Sequence, residues 1–155
     1  LTEHCTAPIF IDPVSTVKAE KLRGLLARVH TLKPNRIEAE LLSGVQITDG
    51  ESLRQAAQAL LDQGVKRVFL SLGGDGVLAA QRGEVHAAPI CKAEMRNATG
   101  AGDAMMASLV WSFLSGRTLA ESAAAGTAAA ALAVESEETI NPAMSAEAVE
   151  RRMAR

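Results

Sequence analysis

The sequence predicts an α/β domain: a mostly parallel sheet with helices packed on its faces and a hairpin at one side. Three observations predict it. Short runs rich in Val, Ile, Phe and Leu alternate with segments of helical periodicity, the order expected when helices cross over between parallel strands. One pair of runs is separated by only a tight glycine turn, which makes the hairpin. From Gly100 onward the pattern is helical.

Taken in order, Ile9-Phe10-Ile11 is a short strand closed by the turn Asp12-Pro13. Lys18 to Val29 repeats Leu22, Leu25, Leu26 and Val29 at helical spacing and predicts a helix. His30-Thr31-Leu32 is a second short strand running into Lys33-Pro34-Asn35. Asn35 is placed to cap a helix that carries Ile37, Leu41 and Leu42 on one face and stops at Gly44. Ser52 to Gln63 is an amphipathic helix closed by Gly64. Val65 to Leu72, centred on Val68-Phe69-Leu70, is the clearest strand. Val77 to Ala80 and Glu84 to Ala87 flank Gln81-Arg82-Gly83 as the hairpin, and Pro89 to Ala93 predicts a further strand. Ala101 to Leu114 and Leu119 to Val134 are helices separated by Gly116. Ser145 to Met153 is a last helix, with Ser145 as cap and Glu147 in its first turn. The Ala-rich stretch from Ala123 to Ala133 implies close packing of small side chains.

The 155 residues fit one domain, with 48% hydrophobic and 22% charged residues. Three Phe, one Trp and no Tyr leave the core to Ala, Leu, Val, Ile and Met. A formal net charge of -2 gives no basic footprint, which argues against a nucleic acid polymer as partner. No run of apolar residues is long enough for a membrane-spanning helix, and no signal-peptide pattern opens the chain, so the cytoplasm is the expected compartment. Cys5 and Cys91 form no CxxC unit and read as plain thiols.

The segment richest in chemistry is Asn97-Ala98-Thr99-Gly100-Ala101-Gly102-Asp103, which opens a helix. Gly100 and Gly102 allow a tight turn and close approach of a ligand to the backbone. The free N–H groups of the first helical turn and the positive end of the dipole suit a phosphate. Asp103 then stands beside that anion site, where a carboxylate can accept a proton from an attacking hydroxyl. The same residues also fit a plain strand-to-helix turn followed by an ordinary first-turn acid. The pattern is not the dinucleotide GxGxxG, because Met105 occupies the third glycine position, nor a Walker A loop. Asn35 and Glu38 fit a capping box, and Gly73-Gly74-Asp75-Gly76 fits a glycine turn ahead of the hairpin.

Thr99-Gly100-Ala101-Gly102-Asp103-Ala104 resembles the D-T-x-G-A-G-D-x-F signature of the PfkB (ribokinase-like) carbohydrate kinases. The resemblance implies a ribokinase-like three-layer αβα fold, ATP as phosphoryl donor, and a sugar or nucleoside hydroxyl as acceptor. It makes the backbone of Gly100, Ala101 and Gly102 an anion hole and Asp103 the general base. Asn35 and Glu38 resemble the family's N-x-x-E motif, which organises Mg²⁺ and phosphate largely through water. Ser71-Leu72-Gly73-Gly74-Asp75-Gly76 resembles its T-L-G-x-x-G, which implies nucleotide contacts by Ser71, Gly73 and Gly76 and, in the signature, by Thr99. The helix from Thr127 to Val134 resembles the one that flanks the adenine, with Thr127 facing the base. The run His30 to Asn35 and the tail Glu135 to Pro142 look most like pseudouridine kinases.

Two departures qualify the resemblance. Asn97 stands where the signature begins with Asp, a residue that helps hold a monovalent cation in members that use one, so K⁺ dependence is in doubt. Met105 replaces a Phe. The N-x-x-E motif lies mid-chain in complete members but at position 35 here, and the chain starts at Leu1. The expectation is a C-terminal nucleotide-binding and catalytic part, residues 1–155, without the N-terminal part and lid that bind most of the sugar. The sheet edge left at Ile9 makes a homo-oligomer an expected way of covering it.

Overall fold

The computed structural model describes residues 5–154. It divides into two compact units, one containing the chain up to Leu72 with Leu78–His86, the other Gly73–Val77 with the chain from Ala87 onward.

In the first unit β1 (Phe10–Ile11), β2 (Thr31–Leu32) and β3 (Arg67–Ser71) are parallel neighbours, with Phe10 opposite Thr31 and Thr31 opposite Arg67. β4 (Val77–Gln81) and β5 (Glu84–Ala88) complete a five-stranded sheet in the order β1-β2-β3-β4-β5. The connection from β3 to β4 is far too short for a crossover, so the parallel set ends there. α1 (Thr16–Glu20), α2 (Arg36–Ser43) and α3 (Gly50–Asp62) pack beside one another, and α2 and α3 cover β3. Leu32, Val68, Leu70, Leu42 and Leu60 fill the core between them.

Four expectations need correction. The helix expected over Lys18 to Val29 ends at Glu20. Beyond it the chain winds through i→i+3 bonds, Leu22 N–H to Ala19 O and Leu25 N–H to Leu22 O, into a 3₁₀ turn at Leu26–Arg28. Gly24 lies in this stretch and weakens a regular helix. At three residues per turn Leu26 and Val29 fall on one face and are buried, while Leu25 rotates outward. In α2 the buried face is Glu38, Ala39 and Leu42, so Ile37 points to solvent at 63% exposure. Pro89 to Ala93 forms no strand. Pro89 has no N–H to give a ladder. The start of α3 also lies two residues earlier than the periodicity implies, because Asp49 caps it through the N–H groups of Glu51 and Ser52.

In the second unit α4 (Ala101–Leu114), α5 (Leu119–Val134) and α6 (Ala146–Met153) pack in sequence, α5 between the other two. α5 is buried nearly all round through its Ala residues. At Gly126 the side chain of Met105 approaches so closely that an added Cβ would stand 3.2 Å from it, which is how a small-residue helix lets α4 seat tightly. Trp111, Leu132, Met144 and Met153 pack on Ala125, Ala128, Ala129 and Val149. Among the described residues no helix is long and apolar enough to cross a membrane, and both cysteines are free thiols.

Candidate active site

In open α/β sheets ligands bind outside the carboxyl ends of the parallel strands. In the first unit those ends carry Asp12 after β1, Lys33 after β2 and Ser71 at the end of β3. Lys33 Nζ lies 2.7 Å from Asp12 Oδ2, and the lysine side chain is only 6% exposed. An ammonium so deeply buried needs its carboxylate partner. Val14, just beyond Asp12, holds φ at 65°, a strained value for a β-branched residue, and its N–H donates to Asp12 Oδ1 at 3.2 Å.

Asn35 and Glu38 form the capping box. The Glu38 N–H donates to Asn35 Oδ1 and the Asn35 N–H donates to Glu38 Oε2, each at 2.9 Å. The box uses one carboxylate oxygen. The other, Glu38 Oε1, is buried and has no hydrogen-bond partner among the described residues. A buried carboxylate oxygen left unbonded is costly unless water or a bound ion completes it. Asn35 pairs with Ser71 across a parallel bridge, and the Ser71 N–H and Oγ–H both donate to Pro34 O, at 2.9 and 3.3 Å. An amide and a carboxylate, oxygen ligands both, suit Mg²⁺, which is held by one or two carboxylates plus substrate phosphates and retained water rather than by an all-protein cage.

The second unit holds the glycine turn that opens α4. Asn97 Oδ1 accepts from the Thr99 N–H at 2.9 Å, a local turn that brings the chain round to the helix. Gly100 is the N-cap residue, at φ 88°, with no side-chain cap on the helix. A Cβ there would stand 2.5 Å from Thr139 O, so only glycine fits. Gly102 and Asp103 are exposed in the first turn of α4, where the N–H groups have no intrahelical acceptor. A negative group is therefore offered backbone donors and the positive end of a fourteen-residue helix, with a carboxylate alongside.

The remaining candidates divide. Thr99 and Gly73 are exposed, and Gly73 has open space where a Cβ would be. Gly76, at φ 91°, approaches the chain itself: a Cβ would lie 2.2 Å from Ala88 O. Thr127 is buried, its hydroxyl donating to Ala124 O at 3.1 Å and lying 3.6 Å from Cys91 Sγ. Sequence reasoning passed over Asp12 and Lys33, although Lys33 adjoins Pro34-Asn35. It also passed over the carbonyls of Glu137 and Thr139, which as backbone atoms leave no sequence signal.

A family model described as pfkB family carbohydrate kinase matches residues 1–146. Pseudouridine kinase of Escherichia coli (strain K12) is 40% identical over 146 residues, which is 94% of this chain and 47% of that protein. The ribokinase of Thermotoga maritima superposes with a TM-score of 0.83 at 26% identity, over 99% of this chain and 51% of its own. That of Arabidopsis thaliana, solved with ribose and ATP, gives 0.77 at 28%, over 84% and 43%. The chain thus spans about half the length of these relatives. The fold is ribokinase-like, and the chain belongs to the PfkB family of carbohydrate kinases.

Proposed function

We propose that this chain supplies the ATP-binding and catalytic part of a kinase that phosphorylates a hydroxyl of a sugar or nucleoside, with pseudouridine as the first candidate substrate. The observation that carries the reading is Asp103: an exposed carboxylate in the first turn of α4, immediately after a glycine turn that leaves the helix start without a side-chain cap. The likeness to pseudouridine kinase over 94% of the chain supports the choice of substrate.

In this mechanism the acceptor hydroxyl donates its proton to Asp103 as its oxygen attacks the γ-phosphorus of ATP in line. The bond to the bridging oxygen breaks and ADP leaves. The N–H groups of the Gly100–Asp103 turn hold the negative charge on the transferring phosphoryl oxygens. Ser71, Gly73 and Gly76 shape the nucleotide side, and Thr127 acts there through packing. Mg²⁺ would be held through water by Asn35 and Glu38, the unbonded Glu38 Oε1 being its natural anchor, and would offset phosphate charge.

The test is calorimetric titration of Mg-ATP into the chain and into Asp103→Asn, together with turnover assays on pseudouridine and ribose. Loss of a general base lowers turnover by roughly 10²–10⁴-fold. The expected result is unchanged ATP affinity with turnover lost. An Asp103→Asn chain that turns over normally refutes the assignment of the base. A second reading, nucleotide binding without turnover by this chain alone, is favoured by its spanning 47% of the pseudouridine kinase. ATP binding with no product from the unaltered chain would select it.

A further inference from the structure

In the signature that Asn97 departs from, an Asp at this position helps to hold a monovalent cation. The residues here do not fit one. Asn97 Nδ2 donates to Glu137 O at 3.1 Å, and its Oδ1 accepts from the Thr99 N–H at 2.9 Å. Both ends of the amide are engaged. Its orientation is fixed by its partners, because a flip would set C=O against C=O and NH₂ against N–H. The amide oxygen already accepts one neutral donor, and unlike a carboxylate it brings no negative charge to draw a cation in. The Glu137 carboxylate does not replace the missing charge: it is 85% exposed and lies 3.9 Å from the Arg96 guanidinium.

We propose that the Asn97 amide performs the bracing that a cation performs beside an aspartate, so that this turn is ordered without K⁺. A carboxylate at position 97 and the Glu137 carbonyl would repel unless a positive charge lay between them. The amide joins the two segments directly. The surrounding contacts point to the same function. The N–H groups of Arg96 and Asn97 both donate to Val134 O, at 2.8 and 3.2 Å, and Gly100 seats against Thr139 O. Residues 134–139 are thus clamped onto the turn that opens α4 at three places, and the Asn97 side chain makes the central one. The inference rests on the kinase reading only for what the turn is for.

The test is thermal unfolding of the chain and of Asn97→Asp in potassium chloride and in tetramethylammonium chloride at matched ionic strength, which removes general screening from the comparison. Unaltered chain is expected to melt at the same temperature in both salts. Asn97→Asp is expected to melt about 3–6 °C lower in tetramethylammonium, from the lost bond and the new repulsion, and to regain most of that in potassium. A potassium-specific rise for the unaltered chain overturns the proposal. So does an Asn97→Asp chain that melts normally in tetramethylammonium, or one that regains nothing in potassium. The unaltered chain carries the test by itself should the variant not fold. Melting needs no turnover, so failure of ATP binding would count against the kinase reading and leave this result standing.

Discussion

Gly100→Ala tests whether the glycine turn is dictated by the chain's own packing. Two costs add. At φ 88° an alanine occupies the left-handed region, which costs about 1–2 kcal/mol. Its Cβ would also lie 2.5 Å from Thr139 O, a backbone atom that can retreat only by moving the segment clamped through Val134 and Glu137. Overpacking of this kind costs about 1–3 kcal/mol. The sum, about 2–5 kcal/mol, corresponds to a fall in melting temperature of roughly 5–20 °C for a chain of this size. The assay is thermal unfolding by circular dichroism, with Gly102→Ala as the control. Gly102 lies inside α4 and is exposed, so alanine there should leave the melting temperature unchanged or raise it slightly. If Gly102 is present for a ligand, the control should still weaken ATP binding. A Gly100→Ala chain that melts within about 1 °C of the original would refute the argument.

Glu38→Gln keeps an oxygen to accept from the Asn35 N–H and so preserves the capping box, but it places an NH₂ where the unbonded oxygen now lies. Melting should change little, while Mg-ATP affinity falls roughly tenfold by calorimetry. Gly76→Ala should destabilise as Gly100→Ala does, because its Cβ meets Ala88 O, whereas Gly73→Asn should fold normally, since Gly73 has open space and Asn tolerates φ 59°. Burial, with Arg67 and Lys66 nearby, lowers the pKa of His30 below its ordinary value. The unfolded chain therefore binds more protons as pH falls through about 6.5, and stability from neutral His30 is present above that pH and lost below it. Denaturant midpoints between pH 5 and 7.5 should rise with pH, and His30→Gln should flatten the slope.

How much was legible depends on what kind of atom carried the information. The strands other than Pro89 to Ala93, the helices from Gly100 onward and the caps at Asn35 and Ser145 follow from side-chain pattern and survive in the structure. Two of the failures lie where backbone geometry reassigns a face. Leu25 and Leu26 are equally apolar, and only the switch to three residues per turn decides which is buried. Ile37 is exposed because the ends of the box commit Glu38 inward. The glycines show the same limit. Gly76 and Gly100 read as room for a ligand, yet each has a carbonyl of the chain itself at the position a Cβ would take.

The same logic dissolves an opposition that the sequence poses at Asn35 and Glu38. Helix cap and magnesium organiser look like rival explanations of one tetrapeptide. A capping box, however, uses only Asn35 Oδ1 and one oxygen of Glu38, and it fixes the other oxygen in a buried position with nothing to bond. Capping is what makes the second oxygen rigid, and rigidity is what a water-mediated ion site needs, because an ion binding a mobile glutamate must first order the side chain. Burial of Lys33 beside Asp12 at the neighbouring strand ends follows the same rule: a charge is held where it would not otherwise stay. If the cap and the site are one device, Asn35→Ala should lose both together, about 1 kcal/mol of stability along with Mg-ATP affinity. Loss of stability with affinity intact would separate them and leave Asn35 a helix cap alone.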